Sequence, residues 1–411
     1  MRHWVILLAG VAISLNTAAQ VTTGQAWVQR VDGAIMGGVS VDDRHVYAGG
    51  EHGMVHAFAR DAGAEAWRYD AGAPIASASA VDDRRVYFHA RDGVVHAVDR
   101  LTGTRVWTFQ TGGEQRWDYW DYYTSTPAVD DRQVYFGSGD HHVYALDKRS
   151  GELRWKLRTG NIVHGEPIIS GEKILVGGFD GVFRAIDRGN GRELWTFKTV
   201  GNSYFRNGEL PGTATAHDGL VYFGGRDYNL YAVLEDTGTG AWNERTPSWI
   251  VGQPLVFGDH VIVVNSDYAT VISYHAKTGA ENWRVSNRHN MFAGAQPLGE
   301  AHVAIASLDG SIIAIHIEDG TVSARFETRR SRARRADFFT DEGRLDYTGI
   351  TSLDDLAGLY ERQLQQMDGI PGRIAVEGNR AWYATAGGEV GAVDFEGIVP
   401  SPGPDHEKGP E

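Results

Sequence analysis

The residues of this chain best suited to chemistry lie in loops, not in any recognisable catalytic motif. Arg116-Trp117-Asp118-Tyr119-Trp120-Asp121-Tyr122-Tyr123 places aromatic rings, two carboxylates and a guanidinium in one short stretch. Rings with polar tips beside charged groups are what interfaces and sugar- or quinone-stacking sites use. His164, the run Tyr204-Phe205-Arg206 and the pair Arg288-His289 are the further binding candidates. The ring pattern is too dense for one strand face to bury. Either some rings reach solvent or a partner, or the whole loop plugs a cavity; both readings are open at this level.

Catalytic signatures are missing. The chain holds no His-Glu-x-x-His, no Cys/His spacing, no Gly-x-Ser-x-Gly elbow, no phosphate loop and no dinucleotide fingerprint. No catalytic residue and no metal ligand is therefore assigned. The net charge of -14 disfavours a nucleic-acid partner, whose phosphates want a basic surface. The same charge suits a monomer kept apart by self-repulsion.

These loops need a scaffold, and the composition names its kind. Gly at 52 of 411 residues, with 12 Trp and 17 Tyr, points to many short strands joined by tight turns. Ala97-Val98-Asp99-Arg100-Leu101-Thr102-Gly103 leads to Trp107, and the pattern recurs as Ala145 to Trp155 and Ala185 to Trp195. Weaker copies end at Trp67, Trp242 and Trp283, and a seventh has Ala324 in place of Trp. The Trp spacings of 40, 48, 40, 47 and 41 residues are those of propeller blades. Three-strand cores are expected near residues 39–59, 79–99, 127–147, 167–187, 213–233, 253–273, 296–316 and 372–394. The last core lacks a fourth strand, and Gln25 to Val31 resembles one, with its own Trp27. The expectation is an all-β, eight-bladed β-propeller of four-stranded antiparallel blades, closed by the N-terminal strand. Closure of this kind removes exposed sheet edges.

Three segments stand outside the repeat. Met1-Arg2-His3, an apolar run to Leu15 and Thr17-Ala18-Ala19 describe a signal peptide over residues 1–19. The run is too short to span a membrane. With no cysteine to carry a lipid or a disulfide, the expectation is a periplasmic, non-lipidated protein. Within the propeller of residues 20–397, residues 328–371 form an insertion. A basic loop, Arg329 to Arg335, precedes an amphipathic helix over Thr351–Met367 with Ser352 and Asp355 at its start. Residues 398–411 read as a disordered tail. The Val-Asp-Asp-Arg turns at 41–44, 81–84 and 129–132 read as solvated charged hairpins.

The signature Ala-x-Asp-x-x-Thr-Gly-x-x-x-Trp resembles the tryptophan-docking repeats of the pyrroloquinoline-quinone (PQQ) propeller superfamily, over about residues 24 to 397. The resemblance implies one of two functions. In the dehydrogenase branch, PQQ and calcium sit in the axial funnel, often against a disulfide of adjacent cysteines. The BamB branch is a non-enzymatic, protein-binding scaffold of outer-membrane assembly. Size and missing cysteines favour the second, with an envelope protein as partner; a small PQQ/calcium dehydrogenase, or a binder of a sugar or quinone, is the alternative.

Overall fold

The computed structural model describes residues 21–118, 121–341 and 345–398. The proposed signal segment and most of the tail lie outside them. Eight four-stranded antiparallel sheets follow one another around a ring. The first runs through Val39–Val41, His45–Gly49, Met54–Ala59 and Glu65–Asp70, and the next six repeat it. The eighth takes its inner three strands, Ala375–Glu377, Arg380–Ala384 and Glu389–Glu396, from the C-terminal end of the chain. Its fourth is the N-terminal strand Thr22–Arg30, paired from Thr22↔Glu396 to Arg30↔Glu389.

The repeated residues are explained by one contact. Opposite each fourth-strand Trp stands a small residue of the third strand, as in Ala57↔Trp67, Ala97↔Trp107, Ala145↔Trp155 and Ala392↔Trp27. The register slips by one residue immediately beyond, and the indole turns toward the next blade. Trp155 Nε1 donates to the Arg188 carbonyl at 2.8 Å, and Trp67, Trp107 and Trp27 donate likewise to Arg100, Lys148 and Arg60. The ring covers the glycine of that neighbour's turn. Gly191 has φ +75°, and a Cβ there would stand 2.7 Å from the Trp155 ring, so glycine is required twice over. Trp155→Ala removes the hydrogen bond and leaves a cavity between two blades. A loss of ~3–5 kcal/mol is expected in denaturant melts.

The charged hairpins are not simply solvated. Asp82 Oδ1 caps its own turn through the N–H groups of Arg84 and Arg85, and Oδ2 accepts from Tyr87 Oη. The first carboxylate of each turn lies half-buried at a blade junction and pairs with the next blade. Asp42–Arg100, Asp82–Lys148 and Asp130–Arg188 are 3.0, 3.1 and 3.3 Å apart. Arg100, Lys148 and Arg188 are also the residues whose carbonyls accept the indoles. The second aspartate of each turn, Asp43, Asp83 and Asp131, stays exposed as expected, although Asp43 also reaches Arg100 at 2.7 Å.

The expected basic loop is a helix, α1, over Arg329–Phe338. The Thr328 hydroxyl caps it by accepting from Ser331 N, and arginine is itself a good helix former. Arg329, Arg330, Arg332 and Arg334 face outward, while Arg335 turns back to Glu327 at 2.7 Å. A second helix, α2, spans Leu353–Gln366, with the Ser352 hydroxyl accepting from Asp355 N as its cap. Its buried face is shared: Leu364 packs on the propeller with Met36, Phe292 and Leu308, while Leu359 and the following Met367 pack against Phe338, Phe339 and Leu345 of the insertion itself.

Candidate functional site

Loops leaving the outer strands converge on one end of the ring, the funnel mouth. The aromatic loop is pinned there by a buried charge cluster drawn from three blades. Glu114 Oε1 accepts from Ser138 Oγ at 2.7 Å and from Gly139 N at 2.9 Å. His89 Nε2 stands 3.2 Å from the same oxygen. Glu114 Oε2 faces His164 Nε2 at 2.8 Å, and Asp121 Oδ1 faces His164 Nδ1 at 2.9 Å. Asp121 Oδ2 in turn accepts from Trp117 N. An imidazole with a carboxylate at each nitrogen must donate from both, so His164 is an imidazolium. Burial by itself pushes the His164 pKa down, but the two carboxylates outweigh it and raise the value to about 9. Burial likewise disfavours the Glu114 carboxylate, yet the imidazoles of His89 and His164 hold it far below the usual range.

A second buried cation fixes the other end of the loop. Arg226, 1% exposed, pairs through both terminal nitrogens with Asp118. Its guanidinium lies 4.5 Å from the Trp249 ring centre, 5.2 Å from Phe179 and 5.6 Å from Phe205. Cations over ring faces are stabilised most when desolvated.

The insertion crosses above this layer. Gln363 Nε2 donates to the Leu308 carbonyl at 2.6 Å, and its Oε1 lies 3.0 Å from His289 Nε2. Leu364 and Tyr122 then separate two clefts. One, of about 720 Å³, is charged, with Glu51, Arg91, Arg116, Arg330 and Glu361 around it. The other, of about 410 Å³, is aromatic, with Phe205, Tyr228, Trp249 and Tyr360 and, among the described residues, one acid, Asp267. Below them the axial channel holds about 70 Å³.

The structure brings together half of the sequence-derived candidates. Arg116 and Tyr122 line the charged cleft, Tyr122 and Phe205 the aromatic one, and Tyr123 and His164 the channel. Trp117 packs edge-on against Phe179 yet stays 40% exposed. The loop is thus partly a plug and partly an open surface. Tyr204, Arg206 and Arg288 are exposed on the rim and line neither cleft. His289 is not open to a ligand: it is buried behind α2, stacked on Tyr360, and burial lowers its pKa. Tyr119 and Trp120 lie outside the described residues. Glu114 and Arg226 belong to no motif; a charged residue in a loop signals nothing until its partner is known.

A quinone with calcium does not fit the axis. The channel's volume of about 70 Å³ is far below the ~300–1,000 Å³ of pockets that hold small molecules. Glycines just before the inner strands crowd the channel: a Cβ on Gly212 or Gly372 would stand 2.2 Å from neighbouring backbone. Glu166, the carboxylate lining the channel among the described residues, pairs with Arg373 at 3.3 Å, and Glu114 and Asp121 are both committed to His164. Among the described residues, no three His, Asp or Glu side chains are grouped to hold a metal.

A family model described as outer membrane protein assembly factor BamB matches residues 15–118, 110–210 and 205–343, most of the chain. The chain belongs to the BamB family of PQQ-repeat propellers. BamB of Burkholderia pseudomallei (strain K96243) is 27% identical over 159 residues, 38% of this chain and 39% of that protein. The alignment thus spans well under half of the curated relative. The crystal structure of BamB from Moraxella catarrhalis superposes with a TM-score of 0.68 at 18% identity, covering 91% of this chain and 98% of that one. The quinohemoprotein alcohol dehydrogenase of Comamonas testosteroni gives a TM-score of 0.66 at 12% identity, covering 92% and 77%. At such identities both structural likenesses speak for the propeller fold alone. No helix among the described residues is long and apolar enough to cross a membrane.

Proposed function

We propose that this BamB-family propeller is exported to the periplasm and acts there as a monomeric, non-enzymatic scaffold, holding an envelope protein during outer-membrane protein assembly. The observation that carries the reading is the pinned loop at the mouth. Glu114, Asp121 and Asp118 are each bound to a buried cation, so the loop is ordered before any partner arrives, with Trp117 left 40% exposed. A preorganised loop avoids the ordering cost of association, and a Trp presented this way is a typical energetic anchor. The axis offers no room for the cofactor chemistry of the dehydrogenases.

The test is retention of a partner from the organism's own envelope extract on the immobilised mature chain at low salt. One defined protein is expected to be retained. Trp117→Ala is expected to weaken its binding about thirtyfold or more, the equivalent of ~2 kcal/mol, while moving thermal stability by less than ~1 kcal/mol. Recovery of nothing by the wild-type chain counts against the scaffold. Reduction of a dye with an alcohol or sugar after addition of PQQ and Ca²⁺ replaces it with the dehydrogenase reading.

A further inference from the structure

The aromatic cleft has a composition that protein packing alone does not require. Its walls are the rings of Phe205, Tyr228, Trp249, Tyr347 and Tyr360, contributed by four separate loops and by α2. They are mutually braced: Phe205 stacks on Trp249 at 5.7 Å and 16°, Tyr228 meets Phe205 edge-on at 6.3 Å, and Tyr347 Oη lies 3.3 Å from Tyr360 Oη. Among the described residues, no lysine or arginine lines the space. Tyr347, 51% exposed, stands at its lip and leaves it open to solvent.

Asp267 gives this cleft its sign. Its carboxylate makes no ion pair among the described residues, whereas Glu114, Asp118, Asp121 and Asp309 each do. The cation whose charge acts on it, Arg226, is paired with Asp118 and lies against the Trp249 ring. Arg226, Asp118 and Asp267 together therefore leave one negative charge, and the ring faces add their negative quadrupoles. Burial raises the Asp267 pKa, with only partial relief from Trp249, Ser266 and Arg226, so its charge stands uncompensated.

We propose that the 410 Å³ cleft between α2 and the fifth and sixth blades is a binding site for an organic cation of the alkylammonium class. Ring faces around a carboxylate are the arrangement that recognises such groups, and the volume falls in the range of small-molecule pockets. A neutral sugar or apolar side chain in the same space would desolvate Asp267 further and supply no counter-charge. The cation can arrive as a free quaternary amine or as a lysine side chain on another protein. The site does not depend on the scaffold reading: it is defined by its own walls.

The experiment is a calorimetric titration of the full chain with choline and, separately, with a short lysine-containing peptide. Each is paired with a neutral counterpart, 3,3-dimethyl-1-butanol for choline and the Nε-acetylated peptide for lysine. Saturable binding is expected for a cationic probe, at least about tenfold tighter than for its neutral counterpart. Asp267→Asn is expected to weaken cation binding by about tenfold and leave the neutral probe unchanged, with the same thermal melt as wild type. Preference for choline assigns the free amine as source, and preference for the peptide assigns a protein. Equal binding of charged and neutral probes, no binding of either cation, or an Asp267→Asn variant that binds as wild type overturns the proposal.

Discussion

Deleting residues 22–30 is expected to abolish the cooperative unfolding of the propeller. The deletion removes a strand paired along its length with Glu389–Glu396, together with Trp27, which is buried against the first and eighth blades. Loss of Trp27 alone, as Trp27→Ala, should cost ~3–5 kcal/mol. Loss of the strand also exposes the unpaired edge of Glu389–Glu396 and breaks the ion pairs from Arg30 to Asp368 and Glu389. The total exceeds ~5 kcal/mol, a large share of the ~5–15 kcal/mol that holds most native proteins. Circular dichroism during heating should show a broad, low-temperature transition and a tendency to self-associate. A sharp transition at the wild-type temperature would mean that the ring is closed by something else.

Glu114→Ala is the second change with a large expected effect. It leaves the buried His164 imidazolium with one carboxylate in place of two and exposes Ser138 Oγ and Gly139 N to an empty space. Removing one partner of a buried charge cluster typically costs ~3–5 kcal/mol. The loop should also become a protease target between residues 113 and 125, where the wild-type chain resists. The pH dependence separates this cluster from ordinary packing. The pKa of His164 rises from 6.5 to about 9 on folding, so its stabilisation is complete below about pH 6.5 and fades as pH climbs through about 9. The Glu114 pKa is lowered, so its part is complete above the ordinary carboxylate range and is lost only in strong acid. Wild-type stability should therefore decline between about pH 6.5 and 9, and Glu114→Ala should flatten that decline. An unchanged slope would mean that His164 is neutral in the folded protein.

Much of the fold could be read from the chain because each signature residue does a local or nearest-neighbour job. The Ala before each turn makes room for the Trp opposite it, the Asp starts the turn, and the Gly accepts the indole of the preceding blade. Such contacts repeat with the sequence period, so counting the period counts the blades. The gap after Asp394 and the stray Trp27 likewise point to each other across the whole chain, because a ring must balance its strands. The charged hairpins show where that reading stops. Asp42 and Asp43 look alike in sequence and both reach Arg100 of the next blade, but only the first is buried at the junction and caps its own turn. The Arg329–Arg335 run reads as a loop because its charge hides the cap at Thr328 and the return of Arg335 to Glu327.

The candidate site divides in the same way. By itself the sequence determined a propeller of eight blades, its closure, and a loop too rich in rings to be buried on one strand face. Only the tertiary structure decided that Glu114 meets His89 and His164 from neighbouring blades, that Arg226 reaches Asp118 across 108 positions, and that α2 divides the mouth into one charged and one aromatic cleft. The physical reason is distance along the chain. Contacts within a blade or between adjacent copies recur with the repeat and leave a periodic trace. Those at the mouth join loops from many blades, each of its own length and sequence. Their partners are fixed only when ring closure brings all the loops to one end of one axis.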